Sequence, residues 1–250
     1  MNILEKYFAQ IEQVENEIGH QMRAKWAIVK LLKDFRFNNV LDIGCGPKKH
    51  TRMFELNGKT VDTLDGCEKY NPKFLGNFLD LADKIPDESY DCIWFSHVLE
   101  HEVNVGSFLT NVKKKLKDGG ILAVTVPPLK AQIVGGHVNL YNLGLLIRVL
   151  VASGFDCSEG IGLSYDYDLS FIVRKKDIEW SNKIIKELDL SNSFVDKNGS
   201  LISNGGDLYK IKKYFPSLPW EDAGNDESYN GQLTLVSLDP KNPLGAVWNI

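Results

Sequence analysis

NVLDIGCGPKKHT, residues 39–51, is a short apolar run that stops abruptly in glycine, which is how a buried β-strand ends. Gly44 and Gly46 let the backbone turn tightly and approach a ligand, because neither carries a Cβ. A helix N-terminus is expected to follow, offering free N–H groups to the same place.

The same punctuation recurs on either side. Short runs at KTVDTLD (59–65), YDCIWFS (90–96) and GILAVTVP (120–127) read as strands, and two more are expected near 156–164 and 168–174. Between them the period changes to that of a helix. Phe108, Leu109, Val112 and Leu116 share one face of 107–117, a helix expected to stop at DGG, and a helix over 142–153 is halted by Gly154. Strands alternating with helices imply an α/β fold, a mostly parallel sheet with helices on both faces. This core is placed at residues 37–175.

Two helices precede it. Ile3/Leu4, Tyr7/Phe8, Ile11, Val14 and Ile18 carry a helical period over 3–18, and Met22, Trp26, Val29 and Leu32 carry one over 21–35. Residues 1–36 are therefore expected to pack against the core or over its mouth, on the substrate side. Residues 176–250 differ in character. They suggest a helix near 178–188, a hairpin at Asn198-Gly199, a short helix near 207–214, and a loop-rich run carrying Trp220 and Trp248. Packing on the core, a homodimer contact or a substrate lid are the roles open to this irregular α+β extension.

Bulk composition excludes several classes. Of 250 residues, 43% are hydrophobic and 25% charged, with a formal net charge of −4, so nothing advertises a nucleic-acid partner. The lysine runs VKKKLK (112–117) and YKIKK (209–213) read as solvated helix faces. Cys45, Cys67, Cys92 and Cys157 form no Cys-x-x-Cys pair, so neither a zinc knuckle nor a disulfide framework is suggested. The amphipathic, acidic start does not read as a signal peptide, and no apolar run suits a membrane span. A cytoplasmic location is expected, and NGS at 198–200 is read as a turn.

In an open parallel sheet, ligands bind beyond the C-terminal ends of the strands. The first strand ends in the glycine turn and the next ends at Asp65, 23 residues after Asp42. A carboxylate there can accept from both ribose hydroxyls, so the pair reads as a nucleoside site. NAD and S-adenosylmethionine both suit it. Asp42 separates them, because an acid next to the glycines repels a pyrophosphate but suits a cofactor carrying an amino group and a sulfonium. A P-loop is absent.

Taken in order, VLDIGCG, VDTLD, GNFLDLADKIPDESYDCIWFSHVLEH, LKDGGILAVTVPP and GGHVNLYNLGLLIRVLVASGFD resemble a class I S-adenosylmethionine-dependent methyltransferase of the small-molecule type, with Val-Leu-Glu-His after the fourth strand. The resemblance covers about 38–175 and implies a Rossmann-like seven-stranded sheet. It also implies roles. Asp42, Gly44 and Gly46 would line the methionine end of the cofactor, and Asp65 would hold the ribose. Asp80 would accept from the adenine amino group, with Phe78, Leu79 and Leu81 against the ring. Ser96 and His97 would border the sulfonium. One departure is Lys48, where the family often has a third glycine; it is either a solvated loop lysine or a contact for an anionic substrate group.

SHVLEH (96–101) admits three readings of function. His-x-x-Glu-His is the spacing of a zinc peptidase helix, but here it follows directly on a strand beside a nucleoside site. Some quinone-pathway and small-RNA methyltransferases carry Glu-x-x-Glu-His at this place, so His97, Glu100, His101 and a downstream His137 could instead hold a divalent metal. The metal-free reading, which is preferred, makes His101 or His137 the general base or a substrate contact, with Glu100 orienting it. The bland alternative is that Glu100 and His101 merely satisfy each other. His20 and His50 are read as structural or surface.

The resulting expectation is methyl transfer from S-adenosylmethionine to a small hydroxylated acceptor, a sugar or phosphorylated metabolite among the candidates. N-methylation stays open, although the Asn/Asp-Pro-Pro signature of DNA amino-methyltransferases is missing after the fourth strand. A non-catalytic partner with the cofactor fold and an NAD-dependent oxidoreductase are the alternatives.

Overall fold

The computed structural model describes residues 2–130 and 133–178. The tail helices, the hairpin at Asn198-Gly199 and the tryptophans at 220 and 248 lie outside the described residues.

Seven strands form one sheet: β1 (Asn39–Ile43), β2 (Thr60–Asp65), β3 (Phe74–Leu75), β4 (Tyr90–Ser96), β5 (Leu116–Val126), β6 (Ile161–Tyr165) and β7 (Asp168–Arg174). Their spatial order is β3-β2-β1-β4-β5-β7-β6. The first five strands run parallel, and β7 lies antiparallel between β5 and β6. From β1 the chain builds outward to β2 and β3, and from β4 it builds the other way. The adjacent ends of β1 and β4 therefore form a switch point where a crevice opens.

Alternation along the strands divides two cores. Val40, Cys92, Trp94, Ile121 and Ala123 face a layer made by α1 (Ile3–Ile18), α2 (Lys25–Asp34) and α3 (Lys49–Leu56). Leu41, Ile43, Ile93, Phe95, Leu122 and Val124 face α4 (Phe78–Leu81), α5 (Val105–Lys115) and α6 (Leu143–Ala152). This is the period-2 pattern of a sheet covered on both sides. The two N-terminal helices thus share a core with the sheet. Helix α1 starts at a capping box, with Asn2 accepting from Leu4 and Glu5 N–H, and it buries Tyr7, Ile11 and Val14.

Several boundaries differ from the sequence reading for identifiable reasons. β3 has two residues, too few to show a period. The second helix starts at Lys25 rather than at 21, and the strand expected over 156–164 is confined to Ile161–Tyr165. DGG does not stop a helix. Helix α5 ends at Lys115 and the chain enters β5 at Leu116, so Asp118-Gly119-Gly120 lies inside the strand. Gly119 has φ +68°, a Cβ on Gly120 would stand 2.7 Å from the Lys117 carbonyl oxygen, and the pairing with β4 slips there. The glycines serve a bulge.

Candidate active site

The loop after β1 is tied to the end of β2. Gly44 and Cys45 N–H both donate to the Leu64 carbonyl, at 2.7 and 3.1 Å. Asp65 accepts from Gly46 N–H on one oxygen and from Cys67 N–H on the other, each at 2.8 Å. Each oxygen keeps a lone pair for a further donor, as ribose binding requires. The two glycines do different work. Gly44 has φ +70°, and a Cβ there would lie 2.3 Å from Val98 Cγ2, so it lets the β1 and β4 loops touch. Gly46 has φ +48° and open space around its Cβ position, which is the room a ligand needs.

Lys48 adopts φ +63° at the start of α3, a conformation natural to glycine. Its Nζ donates to the Asn71 carbonyl at 2.6 Å. Asp42 is 1% exposed and accepts from Thr51 Oγ1 at 2.6 Å, pinning α3 to β1. Burial, reinforced by the charge of Asp65 and opposed by the Thr51 bond, pushes its pKa up to about 7.

Helix α4 is started by Asn77, whose side chain accepts from Leu79 N–H at 2.8 Å. Asp80 stands exposed in its first turn. Leu79 and Leu81 are half-buried beside it, whereas Phe78 is turned into the core, edge-on to Phe108 at 5.0 Å. Phe78 is thus withdrawn from the set expected against an adenine.

Beyond β4 the backbone is not helical through SHVLEH. His97 has φ +58°, and a single 3₁₀ turn spans Leu99–His101. The His97 N–H donates to the Thr125 carbonyl at 2.9 Å. Its ring lies between two carboxylates, with Nε2 2.8 Å from Asp168 Oδ1 and Nδ1 3.2 Å from Glu100 Oε1. Burial opposes its charge, but the Asp168 bond and Glu100 outweigh it and raise its pKa to about 9. His97 is an imidazolium at neutral pH, so it holds Glu100 in place and is no base.

His101 and His137 meet there too. The Gly136 carbonyl can only accept, so His101 Nδ1, 2.7 Å away, carries the proton. This turns Nε2 towards Glu100, 3.8 Å from Oε1. The His137 ring stands edge-on at 4.9 Å. Val138 and Asn139 N–H both donate to the Glu100 carbonyl, at 2.8 and 3.1 Å, which is how a loop so far along the chain reaches the turn. Glu100 is fully buried, and neither carboxylate oxygen has an aligned hydrogen-bond donor among the described residues. Ser96 Oγ is likewise buried without a partner. Orphaned polar atoms of this kind call for a ligand. Single ligand atoms of Glu100, His101 and His137 lie within 4.8 Å of one another, so these three could hold a cation. His97, the fourth candidate ligand, has both nitrogens engaged elsewhere.

Sequence reasoning missed Asp168. It is 3% exposed at the start of β7, accepting from His97 on one oxygen and from Ala24 N–H on the other at 2.8 Å. A lone acid near the end of the domain gives no signal of this role. Arg23 and Tyr167 also escaped notice, because only folding brings the α1–α2 loop to the β6–β7 turn.

A switch-point crevice on this Rossmann-like sheet thus gathers a glycine turn, the Asp65 carboxylate and a histidine–carboxylate cluster. The chain belongs to the methyltransferase-domain family, whose model matches residues 18–159. Its fold is that of the class I S-adenosylmethionine-dependent methyltransferases. A SAM-dependent methyltransferase from Archaeoglobus fulgidus superimposes with a TM-score of 0.53 at 16% identity, covering 68% of this chain and 97% of that one. The putative methyltransferase in a complex with the Trm112 activator of Haloferax volcanii gives 0.54 at 14% identity, covering 71% and 98%. A Burkholderia thailandensis 1,6-didemethyltoxoflavin N1-methyltransferase, solved with that compound and S-adenosylhomocysteine, gives 0.50 at 15%, covering 70% and 88%. In sequence, the ubiquinone biosynthesis O-methyltransferase of Rickettsia conorii is 25% identical over 148 residues, 53% of this chain. The chain spans about half the length of that curated relative, 50%. No helix among the described residues is long and apolar enough to cross a membrane.

Proposed function

We propose that this methyltransferase moves the methyl group of S-adenosylmethionine to a hydroxyl of a small acceptor in the cytoplasm. The observation that carries the reading is His101 Nδ1 held on the Gly136 carbonyl at 2.7 Å, which turns Nε2 towards the cluster beyond β4. Bound S-adenosylmethionine supplies a methyl group on a good leaving sulfonium. Asp65 and Gly46 would seat its ribose, Asp80 its adenine, and Ser96 would border the methyl, so alignment supplies much of the rate. Attack by the acceptor oxygen forms the O–CH₃ bond as the S–CH₃ bond breaks, giving S-adenosylhomocysteine. The hydroxyl proton passes to His101 Nε2, and the buried negative charge of Glu100 stabilises the imidazolium formed. The similarity to an O-methyltransferase supports oxygen as the acceptor atom. Exposed Val134 and Val138, bonded through their backbone to His137 and Glu100, stand beside this place and favour an acceptor with an apolar body over a bare sugar.

A second reading has its own observation, the ligand atoms of Glu100, His101 and His137 gathered within 4.8 Å of one another. Glu100, His101 and His137 would hold a divalent cation, and Gly136 would orient His101 as outer partners commonly do. Such a cation would acidify an acceptor hydroxyl.

The test combines binding and turnover. S-adenosylhomocysteine should bind in calorimetry and NAD should not; the reverse result overturns the reading. In the metal-free version, His101→Ala lowers kcat about 100-fold and EDTA leaves it unchanged. Loss of activity with EDTA, restored by a divalent ion that also binds in calorimetry, selects the second version.

A further inference from the structure

The corner beside His97 is cationic beyond what the described residues neutralise. Tyr167, in the β6–β7 turn, stacks on the His97 ring, with centroids 6.3 Å apart and planes 19° from parallel. Arg23 Cζ lies 5.1 Å from the Tyr167 ring centroid and Lys130 Nζ 4.2 Å from it. These two cations come from different segments, the α1–α2 loop and the chain beyond β5.

Arg23 is placed there by construction. The next residue, Ala24, has φ +54°, a conformation that costs a non-glycine residue roughly 1–2 kcal/mol. It is held by its N–H on Asp168 at 2.8 Å. The Arg23 carbonyl accepts from His50 Nε2 at 2.9 Å. Burial lowers the His50 pKa to about 4, so that ring is neutral and donates. The peptide that follows Arg23 is thus fixed at both its carbonyl and its N–H, and the Arg23 side chain lies over Tyr167.

Neither cation is neutralised nearby among the described residues. Among the described residues no carboxylate forms an ion pair with Arg23 or Lys130, the adjacent Asp166 included. Asp168, the nearest buried acid, already accepts from His97 and Ala24. Both cations lie within about 5 Å of one ring centroid, and an oxyanion that reached both would receive charge-assisted hydrogen bonds.

We propose that Arg23 and Lys130, both held beside Tyr167, form a clamp for an oxyanion, a carboxylate or phosphate borne by the methyl acceptor. The inference rests on the methyl-transfer reading and narrows its substrate class to hydroxylated anions. The clamp and His101 approach the β4 end from different sides, so the anionic group and the methylated hydroxyl sit at separate positions on the acceptor.

The experiment titrates inorganic phosphate and benzoate into the full chain, with and without S-adenosylhomocysteine, by calorimetry. At least one anion should bind the wild type. Arg23→Gln and Lys130→Gln should each weaken that anion about tenfold or more, and Lys130→Glu should abolish binding. Both positions are exposed, so far-UV spectra and S-adenosylhomocysteine affinity should stay unchanged. Phosphate alone identifies a phosphomonoester acceptor and benzoate alone a carboxylate. The clamp is refuted if neither anion binds, or if the Arg23→Gln/Lys130→Gln double variant binds as the wild type does. If the wild type fails to bind S-adenosylhomocysteine, the methyl-transfer reading fails, and the titration without it still judges the clamp.

Discussion

Replacing Gly44 by alanine tests how the cofactor loop is built. The new side chain meets two separate obstacles. Its backbone sits at φ +70°, which costs an L-residue roughly 1–2 kcal/mol. Its Cβ would also stand 2.3 Å from Val98 Cγ2, and overpacking of that kind costs roughly 1–3 kcal/mol. Gly44→Ala should therefore destabilise the protein by about 2–5 kcal/mol. The two terms separate in a double-mutant cycle. Val98→Ala removes the clashing methyl at a cost of about 1 kcal/mol for lost packing. The double variant should then be more stable than the sum of the singles by about 1–3 kcal/mol, leaving the backbone cost alone. Urea unfolding followed by far-UV circular dichroism at fixed pH measures all four corners. S-adenosylhomocysteine affinity should fall in Gly44→Ala and partly recover in the double variant, because Gly46 N–H and Asp65 move with the loop. Strict additivity, or a single-variant loss under about 1 kcal/mol, would refute the reasoning.

Other expectations follow from the same geometry. Lys48→Gly relieves a left-handed lysine at the expense of unfolded-state entropy and one exposed bond to Asn71, so it should stabilise the chain by about 0.5–1 kcal/mol in urea melts. A marked loss instead would show that the bond dominates. Asp42 holds its proton more tightly folded than unfolded, so its contribution to stability is largest below the ordinary aspartate pKa and declines as pH rises towards about 7. Asp42→Asn keeps the acceptor for Thr51 and should flatten that decline, raising stability at pH 8; a steeper profile would contradict the assignment. Asp80→Asn, at an exposed site, should weaken S-adenosylhomocysteine about tenfold with an unchanged melting temperature. If melting falls while affinity holds, Asp80 is structural.

Sequence reading served well wherever one local signal had one cause. β1, β7 and α1 were recognisable because apolar period, glycine punctuation and capping agreed. The glycine turn, Asp65 and the loop after β4 could be singled out as candidates because strand ends mark the ligand edge. What stayed hidden was non-local. His97 has the spacing of a helical ligand but a left-handed backbone, and the ladder to Thr125 and Asp168 sets that conformation. Phe78 and Leu79 are neighbours in sequence, and the packing of Phe108 decides which of them faces the core. The DGG triplet carries a helix-stop signal that the bulge in β5 overrides.

The place of β7 has a consequence for synthesis. β7 follows β6 in the chain yet inserts between β5 and β6. Until residue 174 has left the ribosome, β5 therefore presents an open edge. Strands β1 to β5 can assemble earlier with the glycine turn and Asp65 in place. Asp168 arrives with β7, and with it the anchors of His97 and Ala24. The glycine turn and Asp65 are thus in place first, and the anchors of His97 and Ala24 are completed only when β7 docks.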